Sequence, residues 1–174
     1  VYGVQFVLLG LESQEHINYA MPLRVMGYDY ATYKKQYDSL TRQYKEHKTD
    51  MDEHEFLSRM KKTDRLTPVI SVVIYYGEKV WDAATSLYGI LNIPTEMASY
   101  VNDYRMLLVE ARQNDLYFHN GNNRDLFNLF KILLDQNNSI RDKKEKAIEY
   151  TKEHEVSDTI LKTVAGAANC KIDF

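Results

Sequence analysis

The chain has 174 residues, 44% of them hydrophobic and 27% charged, with a formal net charge of −3. That balance belongs to a globular protein with a sizeable core and excludes long disordered tracts. The 22 basic against 25 acidic residues exclude a strongly basic composition, while leaving room for local basic patches.

The first predicted element is a strand from Val4 to Leu11, an apolar run suited to a buried position. Glu12 stands at its end and Gln14 two residues on, so both point to one side of the strand. A helix led by Pro22 runs to His47, and Arg24 and Tyr28, four apart, are neighbours on its face. Met26, Tyr30, Tyr33, Tyr37, Leu40 and Tyr44 form a continuous helical stripe that reads as core packing; base stacking is the alternative. Basic residues gather at Lys34–Lys35, Arg42–Lys48 and Arg59–Arg65, and read as solvated helix faces.

A shorter helix is expected over Asp52–Lys61. Thr67-Pro68 breaks the chain, and Val69 to Tyr76, β-branched and stopped by Gly77, is the clearest strand. A short helix follows over Ser86–Leu91, with Thr85 or Asp82 as cap, and then a third strand, Tyr104–Val109. Beyond Asn114 the pattern turns helical: Arg124–Asp135, Arg141–His154, and a third helix capped by Ser157-Asp158 and running to about Ala165. These three make an appended bundle or a lid on the sheet. The pattern gives two regions, a core over 1–113 and a helical region over 114–174, and strands alternating with helices make the class α/β.

Other chemistry-bearing residues are weaker. His16, His47, His54, His119 and His154 show no metal-ligand spacing with cysteine. The single cysteine, Cys170, has no histidine near it in sequence, and it points to a reducing, cytoplasmic setting. No apolar run approaches the roughly 20 residues of a membrane-crossing helix.

Three ordered blocks carry a resemblance: Glu12-x-Gln14 with Met21–Tyr30, then Pro68–Gly77 with Trp81-Asp82, then Val101–Leu108. Together they resemble the Rpn family of recombination-promoting nucleases, or putative transposases, within the PD-(D/E)XK nuclease superfamily. The resemblance covers most of residues 1–110. It implies a restriction-endonuclease-like mixed sheet flanked by helices, and a Mg²⁺-dependent endonuclease acting on DNA, with Mn²⁺ as substitute and a homodimer as the natural assembly. In that superfamily an Asp on the preceding strand shares the metal. No Asp precedes Glu12, and the chain begins with Val1, so the expectation is that the segment bearing that Asp lies upstream.

The roles follow the same pattern. Glu12 and the main-chain carbonyl of Ser13 are the implied metal ligands. Gln14 stands where many relatives have lysine; it carries no charge and orients water by hydrogen bonds. Arg24 then supplies positive charge to the phosphate, with Tyr28 beside it at the substrate. Glu15 and Asp29 are alternative partners for Arg24. The competing reading is a catalytically inactive nucleic-acid-binding or assembly module that keeps the fold.

Overall fold

The computed structural model describes residues 7–46, 51–112 and 116–167. Its elements are β1 (Leu8–Gln14), α1 (Met21–Glu46), α2 (Glu53–Ser58), β2 (Val69–Tyr75), two short 3₁₀ turns (Leu87–Ile90 and Thr95–Tyr100), β3 (Leu107–Glu110), α3 (Gly121–Leu133), α4 (Ile140–His154) and α5 (Asp158–Ala167). The start of the first predicted strand, His47 with the turn after it, Asn114 and Cys170 lie outside the described residues.

The three strands form one sheet in the order β1-β2-β3. They run parallel, where the resemblance implied a mixed sheet. The Leu8 amide donates to the Pro68 carbonyl at one end of the β1–β2 pair, and the Tyr76 amide to the Gln14 carbonyl at the other. Parallel neighbours need a long crossover, and α1 with α2 provides it. The antiparallel pairing among the described residues is the isolated Ser86–Arg105 bridge. The class is therefore α/β, with helices beside a small parallel sheet.

The chain divides into two compact units, and β1 and β2 contribute residues to both. The first holds residues up to Leu11, Ala20–Val72 and Ala84–Met106; the second holds Glu12–Tyr19, Val73–Ala83 and the chain from Leu107.

In the first unit α1 buries Met21, Val25 and Asp29. The predicted stripe is corrected at one place: Tyr30 is 65% exposed, because the buried line follows 21, 22, 25 and 29, with Met26 and Tyr33 half-buried on either side of it. The other tyrosines work through their hydroxyls, as amphipathic rings do when one end is wet. Tyr33 accepts from the Val69 amide (2.9 Å), Tyr37 donates to the Ser58 carbonyl (2.8 Å), and Tyr44 donates to the Asp64 carboxylate (2.7 Å). Gln36 brackets Thr67, donating to its carbonyl and accepting from its amide. α2 starts in a capping box, with Asp52 accepting from the Glu55 amide and Glu55 from the Asp52 amide, the reciprocal arrangement that satisfies two orphan donors. It ends at Arg59, which takes the left-handed conformation at φ 53°, short of the expected Lys61. Neither Thr85 nor Asp82 caps the first 3₁₀ turn: Ser86 precedes it, and its side chain makes no capping bond.

In the second unit Asn120 caps α3, and Ser139 caps α4 in a capping box with Asp142. Leu129, Phe130, Leu133 and Leu134 pack with Ala111, Ala147 and Val164 in one apolar cluster, joined by Tyr76 and Phe127. The three C-terminal helices thus share a core, and Tyr76 at the end of β2 stacks on Phe130 (centroids 5.6 Å apart). β3 starts at Leu107 rather than Tyr104, since the Tyr104 carbonyl is taken by the Leu87 amide. Among the described residues no helix is long and apolar enough to cross a membrane.

Candidate functional site

β1 alternates between half-buried and exposed residues along its length, instead of being buried throughout as its apolar run suggested. Leu9 and Leu11 are 61% and 63% exposed. The same alternation puts Glu12 and Gln14 on the half-buried side and Ser13 outward.

These three residues lie in the second unit and converge on one point. The Gln14 side-chain amide donates from Nε2 to Glu12 Oε1 at 2.9 Å and to the Ser13 carbonyl at 3.0 Å. A single donor nitrogen therefore sits between the two oxygens that the resemblance implies as metal ligands. A carboxylate and a carbonyl oxygen aimed at one positive group are the donor chemistry a hard cation prefers. The amide donates one hydrogen bond to each of the two acceptors. Among the described residues no group of three or more His, Cys, Asp or Glu side chains is arranged to hold a metal ion.

Arg24 and Tyr28 lie in the first unit, on the first turns of α1. The guanidinium donates to the Tyr28 hydroxyl through Nη2 at 2.7 Å and Nε at 3.2 Å, and it lies 5.7 Å from the ring centroid. The i, i+4 spacing makes this pair, and the phenol restricts a side chain that otherwise keeps much rotamer freedom. Tyr28 is 44% exposed.

Asp29, weighed as an alternative partner for Arg24, has another role. It is 4% exposed, and its two oxygens accept from Ser71 and Tyr104. Burial and this carboxylate together push the Tyr104 phenol well above its usual range. Sequence reasoning missed the trio because its members are far apart in the chain; a lone Asp on an apolar helix face was the available signal. Glu15 lies past the end of β1 and is exposed.

The basic residues of α1 and the segment after α2 are largely solvated. Lys35, Arg42, Lys45, Lys62 and Arg65 are exposed, Lys34 pairs with Asp38 at 2.5 Å, and Arg59 covers the Phe56 ring at 4.2 Å. His16 and His54 are exposed, and His154 stacks on Tyr150. Trp81 is an anchor: it is 9% exposed, donates from Nε1 to the Ala83 carbonyl, and meets Tyr75 edge-on at 5.1 Å.

Compared with protein-family profiles, curated proteins and solved structures, the chain matches none.

Proposed function

We propose that the protein is a metal-dependent endonuclease of the Rpn type, with a restriction-endonuclease-like core, acting on DNA in recombination or mobile-element movement. The observation that carries this reading is the convergence of Glu12 Oε1 and the Ser13 carbonyl on one donor, the Gln14 amide. The three sequence blocks support it further.

Glu12 and the Ser13 carbonyl are the residues that would hold Mg²⁺ or Mn²⁺. Bound there, the cation supplies Lewis-acid stabilisation of charge on the phosphoryl group. Gln14 positions water through an uncharged amide, which both donates and accepts. Arg24, braced by Tyr28, contributes the fixed positive charge that the amide lacks, and its forked donors suit phosphate oxygens. The assay uses the full-length protein.

Incubated with supercoiled DNA and Mg²⁺, that protein should nick or cut, and EDTA should abolish the reaction. Glu12→Ala should lower the rate by about 10³-fold, which is about 4 kcal/mol of transition-state stabilisation, while leaving the melting temperature nearly unchanged. Gln14→Ala should cost less. Arg24→Lys should recover only part of what Arg24→Ala loses, because an ammonium lacks the fork. DNA binding without metal-dependent cleavage, with Glu12→Ala indistinguishable from the parent, would replace this reading with a non-catalytic binding or assembly module.

A further inference from the structure

The second unit contains a cleft of about 530 Å³ at the C-terminal ends of β1 and β2. The volume is within the range of small-molecule sites, and the ends of parallel strands are where open α/β sheets bind ligands. Three carboxylates line it, Glu15, Glu78 and Asp82, against one ammonium, Lys79, and the His16 imidazole. All five side chains are exposed and face the opening. Tyrosine rings line it too, with Leu134 and Ala167 as apolar surface.

Acidic residues at a rim are ordinary, but the Tyr75 hydroxyl is not. Tyr75 is only 2% exposed, and among the described residues its hydroxyl makes no hydrogen bond, although its ring meets Trp81 and the Arg112 guanidinium. A buried phenol usually finds a partner. This one lies beside Gly77 in the cleft wall, where a Cβ on the glycine would come within 2.4 Å of it and within 2.2 Å of the Glu15 carbonyl. The absence of a side chain at Gly77 therefore makes room for the Tyr75 hydroxyl in the cleft wall. The wall is also held in place: Arg112 donates to the carbonyls of Gly77, Glu78 and Lys79, Gln136 donates to the Glu78 carbonyl at 2.6 Å, and Glu110 braces Arg112 at 3.6 Å.

We infer that this cleft binds an organic cation, an ammonium or guanidinium group on an aliphatic stem. The excess of carboxylates selects positive charge. The exposed Tyr19 ring suits a cation over its face, the apolar surface suits the stem, and the Tyr75 oxygen accepts a hydrogen bond from the charged group at the cleft wall. Burial raises the Tyr75 phenol above its usual range, so the oxygen remains a neutral hydroxyl. A bare metal ion fits less well, because the described residues hold no clustered set of ligands for one.

The test is calorimetric titration of the whole protein with two probes, spermidine and a capped arginine amide, each against Mg²⁺ at matched ionic strength. One-site saturation by spermidine assigns a free polyamine; saturation by the arginine amide assigns a basic side chain of a protein partner; either supports the inference. Tyr75→Phe should weaken binding about tenfold, the worth of a hydrogen bond to a charged group, without lowering the melting temperature, since the hydroxyl is unpaired in the free protein. Glu78→Gln with Asp82→Asn, both at exposed positions, should weaken it several-fold. No saturable response to either probe, a response that Mg²⁺ reproduces, or one that survives Tyr75→Phe and the double substitution unchanged overturns the inference.

Discussion

The two compact units are held together by different forces. In the first, the buried apolar side chains among the described residues are few (Met21, Pro22, Val25 and Met106), and long-range order comes from polar side chains: Asp29 with Ser71 and Tyr104, Tyr33 with Val69, Gln36 with Thr67, Tyr44 with Asp64. In the second, Leu129, Phe130, Leu133, Leu134, Ala147 and Val164 form a contiguous apolar core. Apolar burial is non-directional and tolerates small adjustments, whereas each hydrogen bond is modest when made and costly when half-broken. The first unit should therefore be sensitive to the loss of single polar atoms and the second to the loss of volume.

The largest effect tests the second unit. Leu129 is fully buried, and Leu129→Ala should destabilise by about 3 kcal/mol through lost transfer energy and the cavity left behind. Urea unfolding reads this as a lower midpoint at unchanged slope. A loss under about 1 kcal/mol, below the usual range for such truncations, would mean that the helical core collapses around the gap and that volume is not what holds it.

Asp29→Ala comes next and tests the first unit. It leaves the Ser71 and Tyr104 hydroxyls without their acceptor, at a cost of about 2 kcal/mol for orphaned buried groups. Asp29→Asn should recover more than half, because both hydroxyls can rotate to meet an amide. If Asn proves as damaging as Ala, the charge of Asp29 matters more than its two acceptor positions. Tyr33→Phe should cost less, about 1 kcal/mol, since it removes one acceptor from the Val69 amide (2.9 Å). Hydrogen exchange at Val69 should then speed up while α3–α5 stay protected.

What could be read in advance follows the same division. The apolar periodicity of Leu126, Phe127, Phe130, Leu133 and Leu134 marked α3 because volume burial leaves a local pattern. The β-branched run at Val69–Tyr75 and the period-2 placement of Glu12 and Gln14 were legible for the same reason. The α/β class followed from alternation, but strand direction did not: it depends on the crossover and on which strands are present. Tyr30 was placed inward because seven-residue spacing cannot fix a helix face to within one residue. The Asp29 trio and the Tyr75 cleft were not legible, since both join residues separated by tens of positions and neither leaves a local signature. Near Glu12, sequence supplied the residue types; the convergence of two oxygens on the Gln14 amide needed coordinates.

The smallest expected effect asks whether pH separates the units. Asp103 in the first is held below its usual range chiefly by the Tyr88 amide, which donates to Oδ1 at 2.9 Å. Asp135 in the second is held down chiefly by the Asn137 amide, also at 2.9 Å. A carboxylate with a depressed folded pKa stabilises above its unfolded value, about 3.9, and that contribution disappears as pH falls through the folded value. Both units should therefore weaken below about pH 4, in the same direction, because one device, a backbone amide on a carboxylate, operates in each. Asp103→Asn and Asp135→Asn should each lower the melting temperature slightly at pH 7 and approach the parent as pH falls through the folded value, where the parent loses the same interaction. If only one variant converges, acid discriminates between the units, and the contrast between apolar and polar stabilisation would have to include titration as well.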